Sequence, residues 1–337
     1  MKILIIKMSS LGDVIHCLPA VTDLHREQSN VILDWVVEEG FEDIPALHPG
    51  VRRVIPIAIR RWRKSWLASR REVMNFVKEL RQESYDLVID AQGLLKSALV
   101  GGIAKGTLVG FDRDSARESI ASLAYGHSYQ VHKNQHAVHR LRELFARVLD
   151  YEIAEDYDYG LPQEPVEPGM DIFFFHGTTW ASKHWPEEHW LSLGHLCQNA
   201  GYRVVLPYLD HVEQRRAENI VAAVEGAKLL PPGSLSQLGV ELAHAAGAVS
   251  VDTGLGHFAT AFNLPLVGIY GPTSHRLTGI VGPRQVSLSD STLTCAPCLN
   301  RTCKYALDSS NIYPPCFEFV TPELVFNTLV QRMKARK

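Results

Sequence analysis

The sequence predicts an α/β protein built from two doubly wound, Rossmann-like domains facing a cleft. Three observations carry that prediction. Short, continuous apolar runs alternate with helical patterns along the chain, as parallel strands buried on both faces do. The alternation stops once, in a stretch rich in acids and prolines, and then restarts. The length, 337 residues, suits two domains of ordinary size.

In the first half, strands are expected over residues 3–6, 31–37, 54–59, 87–89 and 108–111, and helices over 14–27, 71–83, 95–104 and 137–149. The stretch "YEIAEDYDYGLPQEPVEPG", residues 151–169, has no clear period and reads as a linker. It divides the chain into residues 1–160 and 161–337. Beyond it, strands are expected over 172–175, 203–207, 228–230, 248–251 and 266–270. Helices are expected over 187–199, 212–224, 235–246 and 322–333. In open parallel sheets ligands bind outside the carboxyl ends of the strands, so residues just past those ends carry the functional reading.

Composition narrows the class. The chain is 46% hydrophobic and 21% charged, as expected of a soluble globular protein. A formal net charge of −3 gives no global field for nucleic acid. No apolar run reaches the ~20 residues of a membrane span. In "MKILIIK" the apolar stretch ends at Lys7, too early for a signal peptide, so a cytoplasmic location is expected. Charge is uneven, however: residues 52–71 hold eight Lys or Arg and no acid, with Trp62 and Trp66 among them.

Three strand ends look chemical. The first strand runs into "KMSSLGDV", which lacks the G-x-G-x-x-G and Walker A patterns. Asp13 stands in the first turn of the next helix, where the helix dipole favours its ionised form. Two readings stand: a general base aimed at a ligand, or an acid that only stabilises its helix. Ser9, Ser10 and Gly12 keep this turn small. The second strand end is "FHGTTWASKHWPEE", where Thr178, Thr179 and Lys183 suit diphosphate oxygens. The third is "VDTGLGHF": Asp252 closes the strand, the helix is expected to begin within residues 254–257, and Gly254 and Gly256, with Leu255 between them, read as a turn tolerant of left-handed backbone that brings amides to an anion at the helix start. Thr253 and His257 can add hydrogen bonds there. Nothing beside this cradle resembles a D-x-D motif for Mg²⁺. The combination suggests transfer from a nucleotide donor without a catalytic metal. A dehydrogenase is disfavoured by the missing dinucleotide fingerprint, and a non-catalytic sugar-nucleotide binder would have no need of Asp13.

Near the carboxyl end, Cys295, Cys298, Cys303 and Cys316 form C-x2-C-x4-C-x12-C. Such a set suggests a structural zinc or iron. Free thiols are the rival reading; disulfides are disfavoured in the cytosol. Cys17 and Cys197 stand alone in apolar patterns and read as small buried hydrophobes.

The segments "KMSSLGDVIHCLPAVTD", "DWVVEEGF", "VIPIAIRRWRKSW", "VIDAQGLLKSAL", "QHAVHRLRELFA", "KHWPEEHW", "VSVDTGLGH" and "YGPT" resemble those of the lipopolysaccharide heptosyltransferases. The resemblance implies the two-domain glycosyltransferase B architecture and inverting transfer from ADP-L-glycero-D-manno-heptose to the Kdo of Kdo2-lipid A. A heptosylated core or a protein hydroxyl is the alternative acceptor, toward which the cysteine cluster points and from which the basic run points away. It implies Asp13 as general base, Thr178, Thr179 and Lys183 as donor-phosphate contacts, and Glu213 as the acid that holds the ribose. It makes Asp252, Thr253, Gly254, Leu255, Gly256 and His257 a donor loop, with Ser9, Ser10 and Gly12 on the donor as well. Arg60, Arg61, Arg63 and Lys64 match a loop for the acidic acceptor, and Gln92, Lys96 and Arg117 join that acceptor set. Peripheral association with the anionic inner membrane follows from such an acceptor. The chain departs from the pattern at Leu209, where a glycine is usual, and at Gly256, where a small hydroxyl residue is common.

Overall fold

Strands β1 (Lys2–Ile6), β2 (Ile32–Glu38), β3 (Arg53–Ile57), β4 (Ser84–Asp90), β5 (Lys105–Phe111) and β6 (His127–Tyr129) form one parallel sheet ordered β3-β2-β1-β4-β5-β6. Strands β7 (Asp171–Phe175), β8 (Arg203–Pro207), β9 (Lys228–Leu230), β10 (Gly247–Val251), β11 (Leu266–Tyr270) and β12 (Gln285–Ser289) form a second, ordered β12-β11-β10-β7-β8-β9. These come from a computed structural model that describes residues 1–162, 167–290, 292–305 and 312–335. Counted from its own first strand, each sheet has the order 3-2-1-4-5-6 of a doubly wound fold. The first sheet belongs to a unit of residues Met1–Pro162 and the second to a unit of Gln163–Lys337.

The central strands explain themselves. In β1 Ile3, Leu4, Ile5 and Ile6 are buried between β2 and β4, and Phe173, Phe174 and Phe175 are buried in β7 between β8 and β10. In the second unit Trp190, Trp185 and Phe174 pack in one core, with the two indoles edge-to-face at 5.0 Å between centroids.

Differences from the sequence reading have local causes. The helix expected over 14–27 is two, Leu11–Ile15 and Leu18–Glu27, because Pro19 is tolerated only in a first turn. The strand expected to reach Ile59 ends at Ile57, and Ile59–Trp62 is a short helix. The next helix begins at Trp66, five residues before the expected 71. Strands β6 and β12 are unexpected additions; both are sheet edges, and their polar residues hide the apolar signal of buried strands.

The expected linker is not loose where it is described. Arg26 pairs with Asp156 and Asp158, and Tyr159 and Leu161 are buried in the first unit. The backbone carbonyl of Ala154 accepts from Arg142 Nη2 at 2.7 Å. Residues 163–166 of the same stretch lie outside the described residues. Arg142 is almost fully buried and binds Asp23 through two hydrogen bonds of 2.6 and 3.0 Å, which joins the helices Leu18–Glu27 and Ala137–Leu149.

Replacing one partner of such a pair leaves the other as an uncompensated buried charge. Arg142→Ala is therefore expected to lower stability by about 3–5 kcal/mol in urea unfolding. A loss within experimental error would mean that Asp23 is satisfied by other means.

Candidate functional site

In the first unit the strand order reverses between β1 and β4, and the loops that leave those two strands carry polar side chains. After β1, Lys7 is buried and its Nζ donates to the carbonyl of Ala91, just beyond β4. Met8 N–H donates to Gln92 Oε1 at 2.8 Å. Gln92, expected to meet the acceptor, is thus a buried brace between the two loops. Asp90, which the sequence reading did not single out, organises the second loop. Its carboxylate accepts from Gln92 N–H, Gly93 N–H, Ser97 Oγ and Tyr125 Oη at 2.7–3.1 Å. Burial raises its pKa despite those bonds. Gly93, at φ +66°, lets the Arg117 backbone approach; a Cβ there would meet Arg117 N at 3.3 Å.

Asp13 lies in the first turn of Leu11–Ile15, and its Oδ2 accepts from Ser10 N–H at 3.0 Å and Ser10 Oγ at 2.9 Å. The capping reading of Asp13 is therefore realised, but by one oxygen. Oδ1 takes no hydrogen bond among the described residues. Burial pushes the carboxyl pKa up, and Lys7, the two Ser10 bonds and Arg117 together bring it below the usual carboxylate value. Asp13 is held ionised with one oxygen available. Ser9 is buried, Ser10 is exposed, and Gly12 is half-buried beside Asp13.

The basic run is less bare than its sequence implies. Acids from elsewhere in the fold reach it: Arg61 pairs with Glu39 and Glu72, and Arg60 donates its backbone N–H to Glu38 and lies over the Phe41 ring. Arg63 and Lys64 are exposed and form no ion pair among the described residues. Lys96 and Arg117 are also exposed, Lys96 at the start of helix Leu95–Ile103.

In the second unit the reversal falls between β7 and β10. The loop after β7 carries Thr178, Thr179 and Lys183; Asp252 ends the strand side of the loop after β10. Thr178 Oγ donates to the carbonyl of Asp252 at 3.3 Å, and Lys183 Nζ pairs with Asp252 Oδ2 at 2.7 Å. Lys183 also lies 4.4 Å from the Trp180 ring centroid. Its charge is thus already shared with a carboxylate and an aromatic face.

The helix Gly254–Ala261 begins within the expected residues 254–257, but neither glycine adopts the expected left-handed conformation. Gly256 is small for packing, since a Cβ there would collide with Ser250 Oγ. Thr253 is the extended residue before the helix, and His257 is buried within it. Glu213 packs its carboxylate on Gly177, where a Cβ would collide with it, and accepts from Leu209 N–H at 2.8 Å. The departure at Leu209 is harmless to that contact, because the backbone makes it while the side chain is exposed. Burial raises the Glu213 pKa.

Comparison with known proteins identifies the family. The model of glycosyltransferase family 9 (heptosyltransferase) matches residues 73–307. Lipopolysaccharide heptosyltransferase 1 of Pseudomonas aeruginosa is 47% identical over 98% of this chain and 97% of its own. The chain belongs to glycosyltransferase family 9, the heptosyltransferases. A second relative, lipopolysaccharide heptosyltransferase 1 of Escherichia coli K12, is 45% identical over 85% of this chain and 92% of its own. The solved E. coli heptosyltransferase WaaC with ADP has a TM-score of 0.82 at 44% identity, covering 85% of this chain and 92% of that one. The same enzyme with ADP-2-deoxy-2-fluoro heptose has a TM-score of 0.79 at 43% identity, covering 86% and 93%.

The family model ends within the cysteine segment. Cys295, Cys298, Cys303 and Cys316 are free thiols that line one cavity with Ser182, Gly271 and Pro272. Among the described residues no three Cys, His, Asp or Glu side chains are assembled closely enough to hold a metal ion. The four thiols share a cavity without forming a coordination shell, and residues 306–311 between Cys303 and Cys316 lie outside the described residues.

Exposure predicts an order of thiol reactivity. In folded protein treated with a chelator, Cys295, Cys298 and Cys303 are expected to react quickly with a maleimide, and the buried Cys17, Cys197 and Cys316 only on unfolding. Mass mapping of the labelled sites checks this. Fast labelling at Cys316 would contradict the packing described.

Proposed function

We propose that this protein is an inverting heptosyltransferase of the glycosyltransferase B type. It moves L-glycero-D-manno-heptose from ADP-heptose to a Kdo hydroxyl of Kdo2-lipid A in lipopolysaccharide inner-core synthesis. The observation that carries the reading is the state of Asp13: ionised, braced by Ser10 through one oxygen, and open at the other. The acceptor oxygen attacks the anomeric carbon as the bond from that carbon to the ADP phosphate oxygen breaks. The bonding pair leaves with ADP, and the acceptor proton passes to Asp13. A carboxylate with a lowered pKa is a weak base, so it takes the proton late, once the attacking oxygen has grown acidic.

The donor falls to the second unit. Thr178, Thr179 and the start of helix Gly254–Ala261 offer donors to the pyrophosphate. Lys183 supplies a cation that Asp252 holds in place until phosphate shares it. Glu213, fixed by Leu209 N–H, accepts from ribose hydroxyls. For the acceptor, Arg117 lowers the Asp13 pKa through its charge and so lies within electrostatic reach of the base. Arg117, Lys96, Arg63 and Lys64 suit the carboxylate of Kdo and the phosphates of lipid A. No step calls for a catalytic metal. The cysteine cluster is read as structural, its thiols being the donor type of zinc or iron; metal analysis of the purified chain tests that part. An acceptor of this kind puts the enzyme on the cytoplasmic face of the inner membrane as a peripheral protein.

Asp13→Ala is expected to lower kcat by about 10²- to 10⁴-fold and to leave the Kd for ADP unchanged; normal turnover would remove Asp13 from the mechanism. Lys183→Ala should weaken ADP binding by roughly 10- to 100-fold in calorimetry, the worth of a hydrogen bond to a charged group. For wild type, kcat at saturating donor and acceptor should stay level as pH falls to about 5, because Asp13 protonates only below the usual carboxylate range. An acid limb near neutrality would assign the base elsewhere.

A further inference from the structure

We propose that the outward face of the helix Trp66–Leu80 is the surface on which this protein rests against an anionic lipid bilayer. The proposal rests on the reading of the acceptor as a lipid-anchored sugar and names the element that meets the lipid. The helix buries Ser69, Phe76 and Leu80 on its inner side. On its outer side Trp66, Leu67 and Met74 are 62%, 74% and 70% exposed, which leaves most of each large apolar side chain in water.

Spacing puts them on one face with cations. Leu67, Arg71, Met74 and Lys78 follow at helical steps of four, three and four, and Trp66 and Arg70 form the neighbouring row. Acids are absent from this face. Glu72 is turned to Arg61 and to the indole N–H of Trp62, and Glu79 is half-buried. Arg63, Lys64, Arg70, Arg71 and Lys78 form no ion pair among the described residues.

A face that combines exposed Trp, Leu and Met with unpaired basic chains suits a membrane interface. The apolar groups enter the boundary of headgroups and acyl chains while the long basic side chains reach lipid phosphates. A second copy of the chain is a poor occupant, since a twofold contact would set these cations against themselves. The helix also follows directly on the Arg60–Lys64 run expected to meet the acceptor headgroup, so headgroup and bilayer would be met by consecutive segments.

The test is flotation of the full chain with vesicles of phosphatidylglycerol and phosphatidylethanolamine, compared with phosphatidylcholine vesicles. Wild type is expected to float with the anionic vesicles and not with the zwitterionic ones. Arg70→Gln with Arg71→Gln should lower the partition coefficient about 30-fold, at about 1 kcal/mol for each basic residue. Leu67→Glu with Met74→Glu should lower it about tenfold or more. Leu99→Glu with Leu123→Glu, exposed leucines on two other elements, should float as wild type does. Each variant should keep wild-type turnover on a deacylated, water-soluble Kdo acceptor, which shows it is folded.

The proposal is overturned if wild type ignores anionic vesicles, if the Leu67/Met74 variant floats undiminished, or if binding is lost through Leu99 and Leu123 instead. Failure of wild type to glycosylate the soluble acceptor would strike the proposed reaction and leave the flotation result standing.

Discussion

Where a parallel strand stops, its last backbone groups leave the ladder together, at the same end of the sheet as those of its neighbours, and something else must bond them. In both units an aspartate beside the point where strand order reverses organises the groups that follow. Asp90 at the end of β4 gathers two amides and two hydroxyls. Asp252, after β10, gives its carbonyl to Thr178 and its carboxylate to Lys183. The loops after the first and fourth strands of each sheet are clipped to one another, by Lys7 on Ala91 and Met8 on Gln92 in the first unit and by Thr178 and Lys183 on Asp252 in the second, so the functional side chains sit on loops that are already braced.

The brace has an electrostatic consequence. Lys7 is buried at the end of β1 because Ala91 accepts from it, and its charge then acts on Asp13. With Ser10 and Arg117 it outweighs the burial that would otherwise favour the protonated acid. A short helix opening with Ser10 and Asp13 thus serves two ends. One oxygen closes the turn, and the other remains open to a proton donor. In the second unit Gly177 and Gly256 show the same economy of space, since a methyl group at either would strike Glu213 or Ser250.

Much of this was legible in the sequence, for identifiable reasons. Central strands are apolar on both faces and announce themselves, and helices such as Ala137–Leu149 and Glu187–Asn199 have clean periods and sharp ends. Edge strands β6 and β12 carry polar residues and do not. Pro19 was a usable signal for the break before Leu18 and was overlooked. What the sequence withholds is partnership across distance. Glu39 and Glu72 neutralise Arg61, Arg26 fastens the acidic linker, Gln92 braces Met8, and Asp252 holds Lys183. None of these pairs follows from spacing. The glycines of "TGLGH" were misread for a related reason: a left-handed turn and a close helix–strand contact both select glycine, and only the fold separates them.

The most direct test of the central claim is a single-turnover reaction of enzyme in excess over ADP-heptose, with a deacylated Kdo acceptor, the product followed by nuclear magnetic resonance. The account predicts one glycosidic bond per donor, with the anomeric configuration opposite to that in ADP-heptose and one ADP released for each. Retained configuration, or release of ADP with free heptose and no new bond to Kdo, would contradict it.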